Sequence, residues 1–234
     1  NFFQNNGGIL SFQDLNQYNL RILKPVCGSY RVYEICSMAP PSSGGIALIQ
    51  ILNILENVDL SSFDHNSEEY LKILISAMDY AYKDRAEYLG DPSFFDVPQN
   101  LLTSKKYAKK IYKLIQKEKL PTKATINIIE SDETTHFSIL DKWGNAVSNT
   151  YTLNTAYGSG IIPTGTGILM NNEMDDFSSK PGYPNAYGLI GSEANKIEPK
   201  KTPLSSMSPV IVFNDNKPFL ITGSPGGSTI ITSV

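Results

Sequence analysis

The chain has 234 residues, of which 41% are hydrophobic and 18% are charged, a composition typical of a globular protein with one large domain or two small ones. The formal net charge of −3 argues against a nucleic-acid-binding surface, which would need a basic stripe. The sequence has no run of about 18 apolar residues, so no membrane-spanning segment is predicted.

The only cysteines lie in the segment PVCGSYRVYEICS, which alternates like two strands around a tight turn. If Arg31 and Val32 form a two-residue turn, Cys27 faces Cys36 at a non-hydrogen-bonded position, where paired Cα atoms approach most closely. A disulfide is then geometrically reachable, and two reduced, half-buried thiols are the alternative. A disulfide would imply an oxidising compartment.

Three helices are predicted in the first half of the chain. Residues 42–57 (SSGGIALIQILNILEN) combine a serine N-cap, two glycines and a helical apolar run. Residues 67–89 form the second helix, and the third begins after Thr103 or Ser104 with a lysine-rich face that we interpret as solvated, not as a docking patch. The buried stripe of the second helix is predicted to contain Leu71, Leu74, Ile75, Met78 and Ala81.

From about residue 125 onward, strands and glycine turns dominate the pattern. TTHFSILDKWGNAVSNTYTL predicts a hairpin whose first strand ends at Leu140 and whose second runs to about Leu153. SPVIVFNDNKPFLITGSPGG predicts another hairpin, and GTGILMNN a short strand, whereas residues 177–203 predict a long functional or disordered loop. Helices followed by antiparallel strands indicate the α+β class.

The segment ETTHFS, residues 133–138, is the candidate for catalytic chemistry. The two histidines, His65 and His136, have no metal-binding companions, so neither a metal site nor a cofactor is predicted. His136 is the candidate base of a Ser-His-Asp triad, but a structural hydrogen bond within a strand is the favoured interpretation. A threonine nucleophile needs a base, and a chain-terminal α-amine with a pKa of about 7.7–8.0 is one solution. Because this threonine is internal, that solution requires a cut directly before it.

Several segments in a fixed order carry a resemblance. ETTHFSILDKWGNAVSNTYTLN, NNEMDDFSSKPGYPNAYGLIG, PLSSMSP and TGSPGGS follow APPSSGGIALIQILNILEN and YAYKDRAEYLGDP. Together they resemble the γ-glutamyltranspeptidase family (γ-glutamyltransferase, glutathione hydrolase), which belongs to the N-terminal nucleophile hydrolases. The resemblance covers essentially the whole chain, and the bacterial members look most similar. The resemblance implies an α+β fold, the four-layer αββα sandwich of these hydrolases, of which this chain would be a fragment.

The resemblance also implies autoprocessing of a precursor into a large and a small subunit, with the cut between Glu133 and Thr134. Residues 1–133 would be the helical C-terminal part of the large-subunit region. Residues 134–234 would be the strand-rich, catalytic N-terminal part of the small-subunit region, with one core shared by both. Both ends of the sequence look abrupt, so we expect the chain to be the middle of a longer protein, without the arginine that clamps the substrate carboxylate in this family.

Residue by residue, the resemblance implies that Thr134 is the nucleophile and that Thr152 hydrogen-bonds it. Gly226 and Gly227 match the oxyanion hole, where glycine lets backbone N–H groups approach the developing charge. The loop KPGYPNAYG matches a lid over the site, with Tyr187 as its inward tyrosine.

The substrate head group would be held by two sets of residues. Asn154 and the acidic pair Glu173 and Asp176 match the α-ammonium site, which suits a carboxylate through charge-assisted hydrogen bonds. Ser205 and Ser206 match the hydroxyls that hold the α-carboxylate.

The expected activity is therefore hydrolysis of glutathione and other γ-glutamyl compounds, or γ-glutamyl transfer from them, with water, an amino acid or a dipeptide as acceptor. No cofactor or metal is expected, and the compartment is expected to be the periplasm or the exterior. Two alternatives stay open: a relative acting on poly-γ-glutamate or on an acylated β-lactam nucleus, and a catalytically silent fragment or pseudoenzyme that binds a γ-glutamyl ligand.

Overall fold

The computed structural model describes residues 2–117, 134–185 and 188–234, and the strands within them form two antiparallel sheets. The smaller sheet is a hairpin of β3 (Thr135–Leu140) and β4 (Ala146–Tyr151). The larger sheet contains, in spatial order, β1 (Val26–Tyr30), β2 (Tyr33–Ser37), β5 (Val210–Asn214) and β6 (Lys217–Thr222). The pairing of β2 with β5 joins residues far apart in sequence into one sheet.

The β1–β2 hairpin has the predicted register. Tyr30 faces Tyr33 across the turn and Cys27 faces Cys36, with their Cα atoms 4.2 Å apart. The two cysteines form a disulfide, so the first of the two alternatives for this pair holds. Arg31 takes the left-handed conformation, with φ of 54°, that a tight two-residue hairpin turn requires.

The predicted helices are present, and serine side chains start two of them. Ser67 accepts a hydrogen bond from the Tyr70 N–H, and Ser104, not Thr103, accepts one from the Tyr107 N–H. The helices are α1 (Phe2–Asn5), α2 (Phe12–Gln17), α3 (Gly44–Leu55), α4 (Glu68–Tyr88), α5 (Gln99–Leu102), α6 (Lys105–Ile115) and α7 (Ile230–Ser233). None of the helices in the described ranges has the length and apolar character needed to cross a membrane.

A serine stands at the start of α3, as predicted, but its side chain does not cap the helix. Ser43 occupies the N-cap position but makes no capping bond; its hydroxyl donates to the Ser205 carbonyl instead. The following glycines let another loop approach the helix, since a Cβ atom on Gly44 would lie 2.5 Å from the Met207 carbonyl oxygen. The loop around residues 205–208 is therefore seated on the N-terminus of α3.

The core lies between the helices and one face of the larger sheet. Val210 and Val212 pack with Leu48 of α3 on this face, whereas Ile211 on the opposite face lines a cavity together with Ser148 of β4. The described residues thus form three successive layers: helices, the larger sheet and the β3–β4 hairpin. This arrangement confirms the α+β class.

Two details of the sequence prediction are wrong. Within α4, Leu71 and Ile75 are 36% and 54% exposed, because the packed face is centred on Ala77 and Ala81. Ile75 lies about 120° around the helix from Ala81, outside that face. The segment 165–172 is not a strand, since Gly165 and Gly167 adopt positive φ angles that bend the chain.

Candidate active site

A small cavity of about 30 Å³ is lined by residues that lie far apart in sequence, from Thr134 to Ile230. Its walls come from the start of β3, the segment after β4, a 3-10 helix, the serine loop on α3 and the start of α7. Seven residues singled out in the sequence line it: Thr134, Thr152, Asn154, Asp176, Ser205, Ser206 and Gly227. Glu173 interacts with the lining residue Asp176, and Gly226 directly precedes the lining residue Gly227. Glu133 and Tyr187 lie outside the described residues.

The β3–β4 register brings two threonine hydroxyls together. Thr135 pairs with Tyr151, so the residues just beyond this pair, Thr134 and Thr152, also face each other, with their Oγ atoms 3.3 Å apart. The Asn154 N–H donates to the Thr152 hydroxyl at 2.9 Å. Asn154 is buried and left-handed, with φ of 75°, a conformation that asparagine tolerates better than most residues.

The 3-10 helix Glu173–Asp176 carries three carboxyl groups, and its three-residue repeat brings those of Glu173 and Asp176 to the same side. Burial, followed by the charge of Asp176, raises the pKa of Glu173 to about 8. Burial also raises the pKa of Asp176, although a hydrogen bond from Glu173 and the charge of Arg85 oppose that shift. Near neutral pH the raised pKa of Glu173 therefore favours its protonated form.

The two serines are held by α3 and α4. The Ser205 carbonyl accepts hydrogen bonds from the Ser43 N–H at 2.9 Å and from the Ser43 hydroxyl at 2.7 Å. The Ser206 hydroxyl accepts a hydrogen bond of 3.0 Å from the Arg85 Nη2. Two hydroxyls at the cavity wall can donate to an anionic group such as a carboxylate.

The glycine loop before α7 has a backbone that other residues adopt only with strain. Gly226 and Gly227 have φ angles of 125° and 53°, and Gly227 lines the cavity. The Gly226 carbonyl accepts from the Thr229 N–H at 2.9 Å, and the Tyr82 hydroxyl of α4 donates to the Ser228 carbonyl. The loop is therefore fixed both internally and from the helix layer.

His136 has the structural role favoured by the sequence. Its Nδ1 lies 2.8 Å from the Thr150 Oγ1, and its Nε2 lies 3.0 Å from the Ser138 Oγ. Both ring nitrogens thus engage hydroxyls of the same hairpin. Burial lowers the pKa of His136, which favours the neutral imidazole.

Arg85 and Tyr82, which bind the serine and glycine loops from α4, were missed by the sequence reasoning. The available signal was spacing: Ala77, Ala81 and Arg85 are four residues apart, so the arginine falls on the buried face of an amphipathic helix. An arginine at such a position needs polar partners, because a buried charge without them is costly.

Comparison with known proteins agrees with this geometry. The chain is 52% identical over 236 residues to the glutathione hydrolase proenzyme of Escherichia coli (strain K12), covering 99% of this chain and 41% of that protein. It is 48% identical over 231 residues to the glutathione hydrolase proenzyme of Pseudomonas sp. (strain A14), covering 97% of this chain and 40% of that protein. The chain therefore spans about two fifths of the length of these curated relatives.

Among solved structures, cephalosporin acylase from Bacillus halodurans superposes with a TM-score of 0.77 at 25% identity, covering 98% of this chain and 39% of that chain. The fold is that of the N-terminal nucleophile hydrolases. The family model described as gamma-glutamyltranspeptidase matches residues 1–234, and the chain belongs to the γ-glutamyltranspeptidase family.

Proposed function

We propose that this chain carries the nucleophile and head-group site of a γ-glutamyl hydrolase and transpeptidase that cleaves glutathione and other γ-glutamyl compounds. One observation carries the proposal. Thr134, Asp176, Ser205, Ser206 and Gly227 line a single cavity. A nucleophile, a cation-binding group, an anion-binding group and an oxyanion loop are the parts that acyl transfer from an amino-acid head group requires.

The first chemical step is maturation. The Thr134 hydroxyl attacks the carbonyl of Glu133, the amide nitrogen leaves and takes a proton, and the acyl group moves from nitrogen to oxygen. This shift breaks the amide bond and frees the α-amine of Thr134. Water then hydrolyses the ester, which regenerates the Thr134 hydroxyl and releases the new carboxylate of Glu133. Thr152, with its Oγ 3.3 Å from that of Thr134, orients the attacking hydroxyl.

In turnover, the freed α-amine accepts the hydroxyl proton as Thr134 attacks the γ-glutamyl carbonyl. Backbone N–H groups around Gly226 and Gly227 stabilise the oxyanion, and the leaving amine departs with a proton from the α-ammonium. Each oxyanion donor is worth about 3 kcal/mol in a transition state of this kind. Water, an amino acid or a dipeptide then attacks the γ-glutamyl ester and regenerates the threonine hydroxyl.

Substrate specificity follows from the head group. Asp176, supported by Asn154 and Glu173, would hold the α-ammonium, and Ser205 and Ser206 would hold the α-carboxylate. Tyr187 of the expected lid lies outside the described residues; we propose that it closes over the bound head group and limits access of water.

The proposed assembly is a heterodimer of large and small subunits made from one precursor, in the periplasm or outside the cell. The Cys27–Cys36 disulfide supports the compartment, because disulfides persist where the environment is oxidising. Residues 1–133 and 134–234 would share one core, and the pairing of β2 with β5 across this boundary supports that proposal.

The test of maturation is the intact mass of the full-length protein under denaturing conditions, wild type beside Thr134→Ala. We expect two chains from wild type, one of them beginning at Thr134, and one chain from the variant. A wild-type protein that is folded yet stays a single chain would exclude the terminal-amine mechanism. It would instead favour the hypothesis of a catalytically silent protein that binds a γ-glutamyl ligand.

A second candidate substrate class comes from the similarity to the solved cephalosporin acylase. An acylase of that kind, or a relative acting on poly-γ-glutamate, would not need a site for a free amino-acid head group, whereas this cavity offers both Asp176 and the serine pair. Turnover of a chromogenic γ-glutamyl anilide should therefore exceed turnover of the glutaryl anilide, which lacks the α-amino acid group. Equal turnover of the two, or a preference for long poly-γ-glutamate over glutathione, would favour the second candidate.

A further inference from the structure

Arg85 is a buried cation directly behind the proposed head-group site. It lies on α4, is 5% exposed, and does not line the cavity that contains Thr134. It lines instead a smaller cavity of about 10 Å³ together with Asp176, which borders both spaces. Because Arg85 does not line the substrate cavity, it can act on a bound substrate only through residues of the cavity wall.

The guanidinium is bound by hydroxyls. Its Nε donates to the Ser43 hydroxyl at 3.0 Å, and its Nη2 donates to the Ser206 hydroxyl at 3.0 Å. Within the described residues, no carboxylate lies in salt-bridge distance of Arg85, although the charge of Asp176 acts on it. A buried guanidinium without a salt-bridge partner lowers the stability of the fold. This cost suggests that Arg85 has a function other than stabilising the protein.

The hydrogen bond from Arg85 determines where the Ser206 hydroxyl can donate its own proton. A guanidinium has only donors, so the Ser206 oxygen must be the acceptor in their hydrogen bond. The Ser206 proton is then available to a different acceptor, and Ser206 faces the cavity. The hydrogen bond from a cation also polarises this hydroxyl and makes it a better donor to an anion.

We propose that Arg85 is a positioning residue for the amino-acid head group. Its guanidinium directs the Ser206 hydroxyl toward the substrate α-carboxylate, and its positive charge, across the small cavity that both residues line, stabilises the Asp176 carboxylate that receives the α-ammonium. This inference rests on the proposed function for the identity of the ligand. It links both halves of head-group recognition to one side chain of α4, which itself touches no substrate.

The test uses the full-length protein and three variants: Arg85→Lys, Arg85→Gln and the control Lys83→Gln. Lys83 lies on the same helix but is exposed and pairs with Asp79, so the control removes a positive charge without reaching the site. Binding of L-glutamate, measured by calorimetry, reports on the head group even without turnover. We expect Arg85→Lys to bind it at least about tenfold more weakly, the effect of one lost charge-assisted hydrogen bond, and Lys83→Gln to bind it like wild type.

A double-variant measurement distinguishes positioning from a general loss of structure. If Arg85 acts through Ser206, Arg85→Lys should weaken glutamate binding by less than about threefold when Ser206→Ala is already present. An undiminished effect in that background would overturn the proposal. So would wild-type affinity in Arg85→Lys, or a wild-type protein that does not bind L-glutamate.

The pH profile gives an independent readout. The charged groups that act on Asp176 within the described residues are Glu173 and Asp175 on its own 3-10 helix and Arg85 on α4. Arg85→Gln removes the one cation of this set, which should raise the pKa of Asp176. The acid limb of the pH profile of kcat/KM should therefore move to higher pH. Arg85→Lys keeps the charge and should leave the limb in place, and a limb that is the same in both variants would contradict the role at Asp176.

The outcomes separate the two proposals. A wild-type protein that binds L-glutamate but does not cleave a γ-glutamyl anilide would overturn the proposed function, while the binding data would still decide the role of Arg85. If Arg85→Gln fails to fold, the comparison of Arg85→Lys with Lys83→Gln remains decisive, because lysine preserves the buried charge.

Discussion

The hydroxyl of Thr152 is held by the backbone on one side and faces the candidate nucleophile on the other. The Asn154 N–H donates to it at 2.9 Å, which fixes its rotamer, and the Thr134 Oγ lies 3.3 Å away. Thr152→Ala removes this contact and leaves the Asn154 N–H without that acceptor. We expect maturation and kcat to fall by about tenfold to a hundredfold, the range for a lost hydrogen bond to a polar or charged group.

Intact mass over time and single-turnover kinetics measure these two rates for Thr152→Ala. Thr152→Ser is the matched control, since it keeps the hydroxyl and loses only the methyl group, and it should retain most of the activity. Equal rates for Thr152→Ala and wild type would contradict a role for this hydroxyl at the nucleophile.

Glu173 leads to a prediction about stability and pH. Its pKa is raised from an ordinary value of 4.5 to about 8, so the folded protein keeps a proton that the unfolded chain releases above pH 4.5. The stability associated with this proton is complete below pH 4.5 and is lost as pH rises through about 8. Glu173→Gln cannot ionise and should therefore melt at a higher temperature than wild type at pH 8, with the difference shrinking as pH falls toward 4.5.

Thermal unfolding of both proteins across this pH range measures the effect. Glu87→Gln, which changes an exposed glutamate on α4, is the control and should follow wild type at every pH. A difference between Glu173→Gln and wild type that does not depend on pH would mean that the carboxyl proton is not its cause.

At the residue scale, the sequence predicted those site residues that sit in recognisable motifs. Thr134, Ser205 and Ser206 could be read from TTH and PLSSMSP, and the structure brings them to one cavity. Arg85 could not be assigned, because its partner Ser206 is 121 residues away in sequence and no local pattern predicts that contact. Helical spacing indicated only that Arg85 lies on a buried face.

At the scale of elements, α4 supports two loops of the site at once. Arg85 binds the serine loop, and one turn earlier the Tyr82 hydroxyl donates to the Ser228 carbonyl of the glycine loop. Tyr82→Phe removes the second bond and should leave the glycine loop, the proposed oxyanion hole, less well fixed. We expect kcat to fall about threefold to tenfold with KM nearly unchanged, because the loop acts on the transition state more than on the bound substrate.

Steady-state kinetics on a γ-glutamyl anilide test this expectation for Tyr82→Phe. Tyr88→Phe removes the hydroxyl of an exposed tyrosine at the end of the same helix and serves as the control. A rise in KM with constant kcat would instead assign the Tyr82 hydroxyl to substrate binding.

Local signals predicted the elements, but not how they combine. Capping serines and apolar periodicity located α4 and α6, and turn residues located the hairpins. The pairing of β2 with β5 is non-local, and strand periodicity does not specify a partner in the distant part of the chain. The buried stripe of α4 was partly wrong for a related reason: its large apolar residues were favoured, whereas close helix packing selects Ala77 and Ala81.

For the whole molecule, the central question is how the two sides of the proposed cut hold together. Three structural features join them: β2 pairs with β5, Ser43 binds the Ser205 carbonyl, and Ile231 of α7 enters the core formed by α3, α4 and α6. Ile231 is 2% exposed and packs with Ala47 and other buried residues that precede Thr134 in the chain. Hydrophobic burial and sheet hydrogen bonds therefore join the residues on the two sides of the proposed cleavage position.

If both sides share this core, the two chains should stay associated after cleavage and separate only on unfolding. Ile231→Ala deletes buried methyl and methylene groups at the junction and should lower the unfolding free energy by about 2–5 kcal/mol. The matched control is Ile197→Ala, because Ile197 is 47% exposed and its loss should cost less than about 1 kcal/mol.

Two measurements on the cleaved protein test this prediction: urea unfolding reports its stability, and gel filtration reports whether the two chains stay associated. Two chains that separate on a native column would show that residues 1–133 and 134–234 are independent domains. A midpoint shift in Ile231→Ala, with release of the small chain at the same urea concentration, would identify the interface as the shared core.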